Sequence, residues 1–265
     1  MQSTIHPTAV IGQSAILGEG VTVGPFTVIE DDVEIGDGTI IWPHVHIASG
    51  ARIGCDCKIH SGAVLANEPQ DLKFSGEKTL LYVGDRTVIR ECVTLNRGTS
   101  ASGKTVIGSD NLFMAYSHVG HDCVIGNHVV VANCVPFGGH CVVGDYVVIG
   151  GLAAVHQFVR IGRFSMLGGL SRITLDVPPF IMASGNETFR YEGLNAIGLK
   201  RRGFTSEKIT LIKDAYRMLF QSGLLLANGL EKVKSELPQE PEILEILDFF
   251  ASGVHGRKFV KPFKN

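Results

Sequence analysis

Charge is scarce in this sequence and neither sign dominates. Lys, Arg, Asp and Glu make up 19% of its 265 residues, and the formal net charge is −2. A protein that neutralises nucleic-acid phosphates needs a basic face, so general nucleic-acid binding is excluded. Long hydrophobic runs are missing too. No stretch approaches the ~18 consecutive apolar residues of a spanning helix, so no transmembrane segment is expected. The opening MQSTIHPTAVIG has no basic start followed by an apolar core. No signal peptide is therefore expected, and the expected location is cytoplasmic. The six cysteines are then expected to be thiols.

What the sequence has instead is a period. From Ile5, every sixth residue to Ile173 is large and apolar at 26 of 29 steps; only Asp71, Glu77 and Ala101 break the series. Four residues after each apolar position comes a small or β-branched one, such as Ala15, Val21, Thr27, Cys57, Cys123 or Cys141. Gly often follows the apolar residue directly, as at Gly12, Gly18, Gly126 and Gly144. Six fits neither a 3.6-residue helix nor long alternating strands. It fits short strands, each ending in a sharp bend where Gly is expected to supply unusual backbone angles. Three hexapeptides close one triangular turn of 18 residues, and successive turns stack as parallel strands about 4.8 Å apart. The expected fold is mainly β, a parallel β-helix of hexapeptide repeats over residues 1–180. The inward small register makes Cys57, Cys123 and Cys141 core filler.

Two interruptions break the coil. The first, 66–81, is long, polar and contains Pro69 and Gly76; long loops on a regular scaffold tend to carry function. The second, SASGKT, is short and suggests no role. After DVPPF at 176–180 the period fails, since two prolines end regular pairing. Residues 190–265 read as a small C-terminal helical domain. Thr205 or Ser206 caps a helix carrying Ile209, Ile212, Tyr216, Leu219 and Phe220; further helices are expected near 224–236 and 241–252.

An 18-residue turn makes stacking readable by subtraction. His121 lies under Gly139 and Gln157, and Asp122 lies under His140. Gly120 lies under Gly138 and His156. His121, Asp122, Gly139, His140, His156 and Gln157 thus form one patch over three turns. A neutral imidazole, with an ordinary pKa of ~6.5, takes a proton from a hydroxyl near neutral pH. Asp122 is placed to fix its tautomer, and the bare Gly139 N–H suits a tetrahedral oxyanion. No Ser or Cys is paired with His121 as a nucleophile. Acyl transfer by direct attack of the acceptor is the chemistry that fits.

The motifs QDLK (70–73), IRECVT (89–94), GHDC (120–123), GGH (138–140), AVHQF (154–158), DVPP (176–179) and GLKRRGF (198–204) together resemble the UDP-N-acetylglucosamine O-acyltransferase family. The resemblance covers nearly the whole chain and implies a left-handed coil. It also implies a homotrimer with sites between neighbouring coils, and no cofactor or metal. The implied donor is an acyl carrier protein thioester. The implied acceptor is the glucosamine 3-position of UDP-N-acetylglucosamine, in the first step of lipid A biosynthesis. By the same resemblance His121 is the general base, Asp122 its partner and Gly139 the oxyanion donor. Gln70, Asp71 and Lys73 form the substrate loop, and His118, His140, His156 and Gln157 line the cleft. Asn195 belongs with the substrate-binding set. Arg201 and Arg202 match basic residues near the nucleotide phosphates or the carrier, a role suited to guanidinium groups. Gly169, stacked on Gly151, matches a hydrocarbon ruler and leaves room for a long, 3-hydroxylated or plain acyl chain. Asn96 and Ile197 stand where some members carry His and an acidic residue, which leaves a 3-hydroxyl or a 3-amine as the acceptor group.

Other readings remain open at this level. A zinc hydratase on the same coil would use His118, His121 and His140 as ligands. A non-catalytic β-helix is another, and the later N-acyltransferase of the same pathway a third.

Overall fold

A computed structural model describes residues 3–253 and 258–262; residues 1–2 of the amino-terminal stretch and 254–257 and 263–265 of the 190–265 segment lie outside them. Short strands, mostly of two residues, run from Thr4–Ile5 to Arg172–Ile173 and build three parallel sheets of nine, nine and eight strands. We call them walls A, B and C, in the order the chain visits them. The coil is left-handed. Cα partners one turn apart differ by 18, as in Ile11↔Ile29 and Val119↔Phe137. The periodic residues from Val23 onward point inward and are buried, whereas Ile5 in the first turn is 44% exposed because no turn lies beneath it. Each covered Ile, Val or Leu contributes about 1.5–3 kcal/mol. Cys57, Cys123 and Cys141 are buried in the inward register as expected, and burial pushes the Cys57 thiol up to about 11.

The glycines act differently from the sequence expectation. Those that follow the apolar residue have no positive φ. They sit where the next turn passes so closely that a Cβ would collide: one on Gly12 would lie 2.5 Å from Asp31 N. The left-handed angle falls two residues later and is mostly borne by non-glycine residues, with φ between +53 and +69. Asp122 and His140 are two of them. Asp, Asn and His tolerate this region better than most side chains.

Both interruptions are whole numbers of hexapeptides, which is why the series survives them. Pairs spanning the first differ by 30, as in Ala51↔Leu81, so that turn is 12 residues longer. Pairs spanning the second differ by 24, as in Thr94↔His118. The first excursion is narrower than 66–81, because Val64–Asn67 and Leu80–Val83 are strands; it occupies 68–79.

The sheet also continues past residue 180. Ile181–Ser184 extends wall A in parallel, and Arg190–Leu194 pairs with it antiparallel. Helices α1 (Ala196–Arg201), α2 (Ser206–Phe220), α3 (Leu226–Glu236) and α4 (Pro241–Ala251) follow. Thr205 caps α2 by accepting from Lys208 N at 3.3 Å. The α2 face of Ile212, Ala215, Tyr216 and Leu219 is buried, and Tyr216 Oη donates to Pro179 O at 2.7 Å. Helix α1 was not foreseen, because six residues are too short to show a 3.6 period.

Candidate active site

The three corners of the coil differ in chemistry. Between walls A and B the left-handed position exposes Tyr116, Cys134, Leu152 and Leu170. Between C and A it stacks His128, Tyr146, Phe164 and Phe180 ring on ring. Between B and C it holds Asp122, His140 and Phe158. A cleft of about 470 Å³ opens over wall B and this last corner; its lining includes Gln70, Asn96, His118, His121, Gly139 and Arg172. His156 and Gln157 form its rim. A groove of about 510 Å³ near Leu175, Phe189 and Phe259 holds no comparable His–Asp pair.

Stacking by 18 puts the His121 ring against Gly139: a Cβ there would sit 2.6 Å from Cε1 and 2.7 Å from Nε2. His121 Nδ1 lies 2.7 Å from Asp122 Oδ2. Because the carboxylate only accepts, this bond places the proton on Nδ1 and leaves Nε2 as the basic nitrogen. No described residue bonds to Nε2. The Gly139 N–H likewise donates to no described residue, while its neighbour His140 N donates to His121 O at 2.9 Å.

Asp122 is held by residues the sequence reading passed over. Thr99 N donates to Oδ1 at 3.0 Å and Thr99 Oγ1 to Oδ2 at 2.7 Å. Ser102 Oγ donates to Oδ1, and Asp122 N donates to Thr105 Oγ1 at 2.9 Å. Burial alone raises the Asp122 carboxyl pKa, but the bonds from Ser102, His121 and Thr99 outweigh it and hold it at about 2. The short second interruption, given no role above, is thus a cradle for the Asp122 carboxylate. The usable signal was the length of that turn: six extra residues just before Asp122's turn must emerge at its corner.

The other expected residues divide. His118 Nδ1 lies 2.7 Å from Thr94 Oγ1, and burial together with His121 lowers its pKa, so it is neutral near pH 7. His140 stacks on Phe158 at 4.5 Å, with Nε2 3.6 Å from Asp122 Oδ2. Among the described residues, the group whose atoms converge for a cation is His121, Asp122 and His140, not the three histidines of the zinc reading. Asp71 and Lys73 lie on the excursion outside the cleft lining, with Lys73 N donating to Asp71 Oδ1 at 3.0 Å. Gly169 sits on the A–B corner beside Leu170, across wall B from His121. Asn195 caps α1 and donates to Phe164 O at 2.8 Å. Arg202 covers the Tyr146 ring at 4.8 Å, and Arg201 is exposed beside it. These last four belong to corners other than that of His121 within one chain.

Comparison with known proteins bears on this geometry. Residues 176–258 match the family described as "Udp N-acetylglucosamine O-acyltransferase; Domain 2", and residues 32–67 and 104–135 match the bacterial transferase hexapeptide family. The chain is 73% identical over 263 residues to the acyl-[acyl-carrier-protein]–UDP-N-acetylglucosamine O-acyltransferase of Chlorobaculum parvum, covering 99% of this chain and all of that one. It is 72% identical over 263 residues to the protein of the same name from Chlorobium phaeobacteroides, with the same coverage. The solved UDP-N-acetylglucosamine acyltransferase of Bacteroides fragilis superposes with a TM-score of 0.93 at 43% identity, over 96% of this chain and 99% of that one. The Moraxella catarrhalis structure gives 0.93 at 40%, over 97% and 99%. With its hexapeptide coil, its His–Asp pair and these full-length relatives, the chain belongs to the UDP-N-acetylglucosamine O-acyltransferase family.

Proposed function

We propose that this protein transfers a long acyl chain, with or without a 3-hydroxyl, from an acyl carrier protein thioester to the 3-position of UDP-N-acetylglucosamine. The observation that carries this reading is the unengaged Nε2 of His121 beside the unengaged N–H of Gly139. Nε2 takes the proton of the sugar 3-hydroxyl, and the oxygen attacks the thioester carbon. The Gly139 N–H donates to the resulting oxyanion. The intermediate collapses by expelling the carrier thiolate, which recovers the proton from the imidazolium. Asp122, ionised and buried, stabilises that imidazolium. Gln70, His118, His140, His156 and Gln157 shape the sugar side of the cleft, with Asp71 and Lys73 closing on it from the excursion.

The reading places the enzyme in the cytoplasm as a homotrimer. Tyr116, Leu152 and Leu170 are each more than 60% exposed along one corner, flanked by the exposed Val148 and Met166. Such a ridge calls for burial. Laid against the cleft of a neighbouring copy, this corner brings Gly169 there as the chain-length ruler. The neighbouring copies likewise supply Asn195, Arg201 and Arg202 as nucleotide or carrier contacts, which one chain by itself holds away from His121. The test is turnover of UDP-N-acetylglucosamine and its 3-amino analogue against a ladder of acyl carrier protein thioesters. Transfer to the 3-position with long chains supports the reading. Absence of transfer with every donor refutes it.

A further inference from the structure

Asn96 ends the wall B strand Thr94–Asn96. By the 24-residue stagger it lies one turn below Gly120, at the corner position where the coil above holds glycine. Its side-chain amide donates to Glu68 O at 2.8 Å and Asn67 O at 3.2 Å, where the strand Val64–Asn67 gives way to the 68–79 excursion. Those two carbonyls fix the amide's orientation, since a flipped oxygen would face both. Oδ1 therefore points away from them. It is buried, the residue is only 3% exposed, it lines the cleft with His121, and Oδ1 has no hydrogen-bond partner among the described residues. Its neighbour Arg97 supports the same neck: N donates to Asn67 O, Nη1 to Ala66 O, and the guanidinium covers Phe74. A buried acceptor left unpaired is costly, and a ligand donor relieves that cost.

We propose that Asn96 binds the acceptor: its amide ties down the neck of the excursion, setting Gln70 at the cleft, and its Oδ1 accepts from a hydroxyl or amide N–H of the sugar. This rests on the proposed acyl transfer to a UDP-sugar. The test measures kcat and KM for the UDP-sugar and the thioester separately in Asn96→Ala and Asn96→Asp. Loss of one such bond is expected to raise the UDP-sugar KM about tenfold in Asn96→Ala, with the thioester KM within about twofold. Asn96→Asp turns oxygens toward two carbonyls, so tryptic cleavage after Lys73 and Lys78 also quickens. A general folding defect would instead lower kcat with both KM values unchanged. An unchanged UDP-sugar KM in both variants, or both KM values rising together, overturns the proposal. Should Asn96→Ala fail to fold, Asn96→Leu, of similar shape and without an acceptor, decides in its place, since Asn96→Asp keeps an acceptor oxygen and tests the neck. Should the unaltered enzyme show no acyl transfer, the reaction assignment fails first; calorimetric titration of UDP-N-acetylglucosamine into the unaltered protein and both variants still reads the Asn96 contact.

Discussion

Replacing Gly139 by Ala tests the geometry on which the chemistry depends. The new Cβ would lie 2.6 Å from His121 Cε1 and 2.7 Å from Nε2, where ordinary contact begins at 3.4 Å. The ring must retreat by about 0.8 Å. Its retreat is constrained, because Nδ1 is bonded to Asp122, whose carboxylate is held in turn by Thr99 and Ser102. Alanine keeps the backbone N–H, so the proposed oxyanion donor survives and the perturbation falls on the proposed base. A misplacement near 1 Å costs about a hundredfold in rate, whereas overpacking of this kind costs about 1–3 kcal/mol of stability. Steady-state assay should therefore show kcat down about a hundredfold, with the folded state intact by sedimentation and circular dichroism. Activity within about threefold of the unaltered enzyme would mean that His121 is not the base, or that its ring is free to move without consequence.

His121→Ala should lower kcat by about 10³–10⁴-fold while leaving the melting transition nearly unchanged, measured by turnover and thermal denaturation together. Asp122 ionises at about 2 in the folded protein against 3.8 as the ordinary value. A depressed carboxyl contributes stability above the unfolded pKa and loses it as pH falls, here about 2 kcal/mol over roughly pH 4 to 2. Denaturant titrations of Asp122→Asn should lack that decline; an identical pH slope would show that the carboxylate is not held as described. Gly169→Met should shift donor preference toward shorter acyl chains in a competition assay, and unchanged selectivity removes the ruler. Lys73→Ala should raise the UDP-sugar KM severalfold, and unaltered kinetics would leave the excursion tip outside the site.

The six-residue period determined the coil, its inward rows, the buried cysteines and the stacking of His121 under Gly139. These are consequences of a turn length that repeats, so neighbours in space follow from subtraction. The two interruptions preserved the phase because they add 12 and 6 residues, but their own paths are not periodic and could not be read. That is why Thr99 and Ser102 went unrecognised beside Asp122, and why the excursion narrowed to 68–79. The glycine pattern was visible but its cause was not: close approach between turns is a distance across the coil, not a local backbone preference. Where Asn195, Arg201 and Arg202 come to lie was likewise decided by tertiary structure, because they follow the end of the period. Gly169, Asn195, Arg201 and Arg202 stand on corners away from His121, because one chain can turn only one corner toward its own cleft.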